Sequence, residues 1–114
     1  EIRGDEVLDM LQAMNTGHDG SMTTLHANNP RDAIHRLELL AGFAGFNGSD
    51  ITFRGQVAAA IHLIVHVARL ASGERRLMSV AELTGHDDRG MLMQELFAYD
   101  VDRREHRDLR SSTT

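Results

Sequence analysis

The sequence predicts an α/β protein in which helices come first and an antiparallel β meander comes last. Two observations carry that prediction. From Asp5 to about Ala60, apolar residues recur three and four positions apart, the repeat of a helix that buries one face. From Ile61 to Tyr99 they recur at every second position, the repeat of strands.

The elements follow in order. Asp5 to Met14 places Val7, Leu8, Leu11 and Met14 on one side of an amphipathic helix. Met22 to His26 is read as a strand, with Thr24 and His26 projecting to the same face because strand side chains alternate. Asn29-Pro30 supplies a cap followed by Pro at the first helical position, and Asp32 stands in the first turn beside the positive end of the helix dipole. The helix so started turns Ile34, Leu37, Leu40 and Ala41 inward until Gly42, Gly45 and Gly48 break it. Asp50 caps a third helix, Ile51 to about Ala60, with Val57 and Ile61 on its apolar face. The period then changes to two. Ile61, Leu63, Val65 and Val67 alternate with His62, Ile64, His66 and Ala68, giving a first meander strand with one fully apolar face. Ser72-Gly73 makes a turn, Leu77 to Leu83 a second strand, Gly85 to Gly90 a polar turn and Met91 to Tyr99 a third strand. One domain is expected over residues 1–101, and the charged, then Ser/Thr-rich segment 102–114 is expected to fray.

Composition narrows the function. At 114 residues the chain has single-domain length and buries roughly two-thirds of its unfolded surface. Only 4% is aromatic, so Leu, Ile, Val, Met and Ala must build the core, with the 6 methionines as filler. A net charge of -5 without a basic run speaks against nucleic acid as a partner. The absence of cysteine rules out disulfides and thiolate metal sites, and no apolar run is long enough to span a bilayer. The chain opens on Glu1-Ile2-Arg3-Gly4 without an initiator Met, and is expected to be cut from something longer.

The candidate site is the tract Ala13 to Asn28, which gathers His18, His26, Thr16, Ser21, Thr23 and Thr24 around Gly17 and Gly20. Glycines give the backbone freedom to approach a ligand closely, and exposed donors suit a phosphate or another charged group. Brought together by the turn, His18 and His26 would bind an anion when protonated or offer a neutral N–H. The plain alternative is a pair of loop histidines with structural hydrogen bonds. A metal site is disfavoured, because only Asp19 offers a third ligand nearby, and His62 and His66 share a face only if helical.

Taken with Glu1-Ile2-Arg3-Gly4 and the helix Glu6 to Met14, this tract resembles the C-terminal half of the ATPase domain of the type II/IV secretion (GspE/PilT-like) ATPases. The CpaF/TadA branch, which drives tight-adherence (Flp) pilus assembly, is the nearest likeness. Order, spacing and residue type agree over roughly the first forty residues and more loosely to Tyr99. The resemblance implies the C-terminal half of a RecA-like P-loop core. It makes Glu1 the Walker B carboxylate that orients or deprotonates the attacking water. It also makes His18 and His26 the two histidines of the His box, near the terminal phosphate. Thr16, Gly17, Ser21 and Thr24 support the nucleotide, and Arg3 and Arg36 offer guanidinium forks to phosphate. ATP and Mg²⁺ follow as cofactors. A homo-oligomer, expected to be a hexamer, follows as the assembly, with inner-membrane pilus or secretion platform proteins as partners and a cytoplasmic, membrane-peripheral location. Two positions depart from the family pattern: Gly55 stands inside the third helix, where a charged helix former is usual, and His62 stands where an Asp is usual.

No G-x-x-x-x-G-K-[ST] occurs, and all 12 basic residues are arginine, so the lysine that a P-loop places on the β and γ phosphates is absent from these residues. By themselves they are expected to hydrolyse nothing, the parent being the enzyme. The competing function is a non-catalytic interaction domain, a truncated remnant that binds motor subunits. A His-dependent metal-binding module is a third reading.

Overall fold

The computed structural model describes residues 4–16, 22–43, 45, 48, 50–87 and 89–110. Three helices, α1 (Gly4–Asn15), α2 (Pro30–Phe43) and α3 (Asp50–Ala60), precede four strands, β1 (Leu63–Arg69), β2 (Arg75–Asp87), β3 (Gly90–Asp100) and β4 (Glu105–Asp108). The strands form one sheet in the order β1-β2-β3-β4, every neighbouring pair antiparallel. The meander is therefore present, with one strand more than the periodicity implied.

The core is where the helices meet one face of the sheet. Val7 and Leu11 of α1, Ile34, Leu37 and Ala41 of α2, and Phe53 and Val57 of α3 are buried together with Met91 of β3. Leu25, Ile64, Leu83 and Met93 pack against that cluster. Val7, Leu11 and Val57 are fully enclosed, and each such side chain is worth about 1.5–3 kcal/mol of burial. The helical spacing named most of these residues in advance. It missed Phe53, buried one turn before Val57.

Capping fixes the start of α2. The Asn29 side-chain oxygen accepts from the Asp32 N–H at 2.7 Å, and the Asp32 carboxylate accepts from the Asn28 N–H at 2.9 Å. Two polar side chains thus satisfy backbone donors at the helix entry, a relative of the capping box shifted by one residue. Arg54 joins three elements: its Nε lies 3.4 Å from a Glu38 oxygen on α2, and it donates to the Asp87 carbonyl at the end of β2 at 3.5 Å.

Three expectations are corrected. Met22 to His26 is not a strand: the segment joins no ladder among the described residues, so the propensity is present without a neighbour to pair with. The turn expected over Gly85 to Gly90 is shorter, because β2 runs on to Asp87 and β3 begins at Gly90; register shifts at Val80/Ala81 and Leu83/Gly85 carry the ladder through. The tail expected to fray from Asp102 contains β4, which pairs Phe97 with Asp108 and Tyr99 with His106; residues 111–114 lie outside the described residues. The fully apolar face expected on the first meander strand is present and is the exposed one. Ile64, His66 and Ala68 are half-buried, while Leu63, Val65 and Val67 are exposed.

Two hairpin details explain why β4 exists. The Asp100 carboxylate accepts from the N–H groups of Asp102 and Arg103 at 3.1 Å each, bending the chain back. Beyond the turn, the His106 ring Nε2 lies 2.8 Å from the Leu77 carbonyl, and the ring sits 4.9 Å from that of Tyr99. In the β1–β2 turn Gly73 adopts φ 91°, a conformation that glycine enters without steric cost, and its N–H donates to the Leu70 carbonyl at 2.9 Å.

Candidate functional site

The site begins where α1 ends. The Thr16 hydroxyl donates to the carbonyls of Gln12 at 2.9 Å and Ala13 at 3.2 Å, satisfying acceptors that the last helical turn leaves open. Its one proton is thereby engaged, and what Thr16 offers outward is its oxygen lone pairs. The neighbouring Asn15 amide donates to the Gln56 carbonyl at 3.3 Å, tying the end of α1 to α3. A shallow concavity of about 410 Å³ lies here, lined by Leu8, Gln12, Asn15, Thr16 and Gln56. Nothing in the sequence singles out Asn15 and Gln56, since a pairing across 41 positions leaves no local signal.

Glu1, Arg3, Gly17, His18 and Ser21, all singled out in the sequence, lie outside the described residues. Beyond them, from Met22 to Ala27, the chain forms no helix and joins no ladder among the described residues. Leu25 turns inward onto the core, and Thr24 and His26 are exposed. Thr23, Thr24 and His26 are thus exposed on a segment pinned by Leu25 and, four residues later, by the Asn29 cap. Arg36 is exposed on α2. Arg31, by contrast, is committed to structure: its guanidinium donates to the Met91 carbonyl at 3.4 Å.

The exposed set Thr24, His26 and Arg36 consists of donors that suit phosphate oxygens. Among the described residues no group of His, Asp and Glu is arranged to hold a metal ion. Among the described residues, the one strongly shifted carboxyl lies elsewhere, on β4, where the Arg110 guanidinium pairs with Asp108 and holds it down to about 2. That pair is exposed and structural.

Comparison with known proteins decides the family. The family model described as type II/IV secretion system protein matches residues 1–107. The chain belongs to this family. Among relatives, a protein of Mycobacterium tuberculosis described as a conjugal transfer protein is 41% identical over 102 residues, 80% of this chain and 28% of the relative. The conjugal transfer protein TrbB of Rhizobium radiobacter is 36% identical over 86 residues, 75% of this chain and 25% of its own length. The type IV secretion system protein PtlH of Bordetella pertussis is 38% identical over 80 residues, 67% of this chain and 23% of its own. The chain thus spans between 23% and 28% of the length of these curated relatives. Within the secretion family match, no helix is long and apolar enough to cross a membrane among the described residues.

Proposed function

We propose that the chain is a C-terminal part of the RecA-like domain of an ATP-hydrolysing motor that powers type II/IV secretion or pilus assembly, in the manner of the CpaF/TadA tight-adherence branch. The observation that carries this reading is the family match over residues 1–107, which takes in Glu1 and the whole tract Thr16 to His26. The conjugal transfer and type IV secretion relatives support the secretion setting. The motor works as a homo-oligomer, a hexamer by family likeness, at the cytoplasmic side of an inner-membrane platform.

The residues in hand fit one side of a nucleotide site. Thr24, His26 and Arg36 stand exposed with donors for phosphate oxygens, and Glu1 and His18 complete the set by resemblance. The nucleotide and its Mg²⁺ supply the phosphoryl group and the charge neutralisation of the reaction. Glu1 would orient the attacking water, while His18 and His26 would register the terminal phosphate. With no lysine in the chain, the cradle for the β and γ phosphates must come from a further segment.

Phosphate release by the longer protein that contains this segment tests the reading. Steady ATP hydrolysis that Glu1→Gln reduces by at least about a hundredfold supports a motor, as expected for loss of a group that positions water. The 114 residues alone are expected to release none. A longer protein that folds and oligomerises yet hydrolyses nothing would leave the interaction domain as the better reading.

A further inference from the structure

The turns that join β1 to β2 and β3 to β4 fall at the same end of the sheet, because every neighbouring pair of strands is antiparallel. Residues 69–76 and 101–104 there carry five arginines against two acids, in a chain whose net charge is -5. A cavity of about 180 Å³ opens between the two turns, with Ser72, Glu74, Arg76, Tyr99 and Arg104 on its walls. Arg31, five residues after His26, donates to the Met91 carbonyl at the other end of β3, so the cavity stands at the end of the sheet away from that segment.

Two local costs gather at this end, and both belong to arginines. Arg104 adopts φ 54°, and among the described residues it is the one non-glycine residue with a positive φ. The Cβ of an L residue crowds its own backbone in that conformation, so glycine is the residue that enters it freely. Arg69 and Arg75 stand directly opposite each other across the β1–β2 ladder, and like charges so placed repel. Backbone strain that a simple substitution would remove points to a use for the side chain that causes it.

The walls offer what an oxyanion needs. Arg76 and Arg104 supply guanidinium N–H groups, whose forked geometry matches phosphate oxygens. The Ser72 hydroxyl accepts from the Glu74 N–H at 3.5 Å, which leaves its own proton to donate. Glu74 pairs with Arg76, and both side chains are half-exposed, so the pair aims the guanidinium while binding it weakly. Arg103, by contrast, pairs with Asp100. The Tyr99 ring forms a stiff wall, 4.9 Å from the His106 ring and 6.0 Å from the Arg76 guanidinium carbon. At about 180 Å³ the cavity is smaller than the roughly 300–1,000 Å³ of pockets that take drug-sized ligands, and it suits a single phosphate group.

We propose that this cavity binds a phosphate group, held by Arg104 and Arg76 with Ser72 as a further donor, and carried either by a small soluble molecule or by a lipid headgroup. The bound charge also offsets the repulsion between Arg69 and Arg75. The site is independent of the reading of the chain as a motor segment, and its test measures no hydrolysis.

NMR of the isotope-labelled 114-residue chain, read at the backbone amides and the arginine side chains during titration with inorganic phosphate, tests the site. Saturable shifts at Ser72, Arg76 and Arg104 are expected with phosphate and not with chloride at matched ionic strength. Arg104→Gly is expected to weaken binding at least about tenfold while leaving Tm equal or higher, because it removes the guanidinium and relaxes the backbone together. Arg104→Lys keeps the charge without the fork and is expected to fall between the two. Co-sedimentation with phosphatidylcholine vesicles, with and without phosphatidic acid, separates the carriers. Binding to the acidic vesicles that Arg104→Gly abolishes supports the site and assigns the phosphate to a headgroup, whereas saturable phosphate binding without vesicle binding supports it and assigns a soluble carrier. The proposal is overturned by shifts no larger than those with chloride together with no vesicle binding, or by binding that survives Arg104→Gly unchanged. A lower Tm for Arg104→Gly overturns it too, since the guanidinium would then serve the fold.

Discussion

The His86 imidazole of β2 lies against the backbone of α3 at Gly55, with its Nε2 3.6 Å and its Cε1 3.7 Å from where a Cβ on that residue would stand. That separation is ordinary van der Waals contact, so the site has room for one methyl group and for little more. Gly55 is also half-buried inside a helix, where glycine costs about 1 kcal/mol relative to alanine. Gly55→Ala is therefore expected to stabilise the protein by up to about 1 kcal/mol, read as a higher urea midpoint at unchanged m-value. Gly55→Leu is expected to destabilise it, since the longer side chain must displace His86. An alanine variant less stable than the parent would show that the ring and the helix backbone are held closer than ordinary contact allows.

The cap at the entry of α2 gives a second expectation. Asn29 accepts the Asp32 N–H at 2.7 Å, and the segment bearing Thr24 and His26 runs directly into that cap. Asn29→Ala is expected to cost about 1 kcal/mol, and Asn29→Asp to remain within a few tenths, because the aspartate oxygen accepts the same hydrogen bond. Thermal unfolding of the two variants separates loss of the acceptor from a general intolerance of the position. Equal destabilisation by both would remove the cap from the account.

How far the sequence could be read depended on whether the interactions were local. The helices, their inward faces and the Asn29 cap were legible because periodicity and capping act over a few residues, and Val7, Leu11, Leu37 and Val57 are buried as the spacing required. Phe53 escaped notice because the helical face was drawn from Val57 and Ile61, a residue that proves to lie beyond the end of α3. The strand expected at Met22–His26 failed for the opposite reason: a strand needs a neighbour, and no local pattern says where one comes from. The same holds for β4, whose residues are charged and exposed and whose existence depends on the Asp100 turn and the His106 contact with Leu77. At the site, the engagement of the Thr16 hydroxyl with Gln12 and Ala13 shows only in three dimensions.

In the longer protein, His26 provides the third prediction. Its exposure beside Thr24, on a segment held by Leu25, suits contact with a ligand rather than support of the core. His26→Ala is expected to lower kcat at least about tenfold while changing nucleotide affinity by less than about threefold, the pattern of a group engaged in the transition state more than in the ground state. Steady-state hydrolysis and equilibrium binding of a non-hydrolysable analogue measure the two quantities. Equal losses in both would mark His26 as a residue that shapes the segment. An unchanged kcat would remove it from the chemistry.

The last prediction concerns pH and β4. The Arg110 guanidinium grips Asp108 with Nε 3.0 Å from one carboxylate oxygen and a terminal nitrogen 2.8 Å from the other, and the Arg110 N–H donates to the same carboxylate at 3.0 Å. The guanidinium also stacks on the Phe97 ring, 4.7 Å from its centroid, across the β3–β4 pairing. These bonds favour the ionised carboxyl and lower its pKa from 3.8 to about 2, while the carboxylate raises that of Arg110. A depressed carboxyl pKa contributes stability that is complete above the unfolded value and is lost as pH falls through the folded one, so the pair holds β4 above about pH 4 and releases it toward pH 2. Both groups are exposed, and the effect is expected to shrink in high salt. A carboxyl NMR titration of Asp108 should give a midpoint near 2 in the parent and a return toward 3.8 in Arg110→Ala. A midpoint near 3.8 in the parent would show that the pair does not persist in solution.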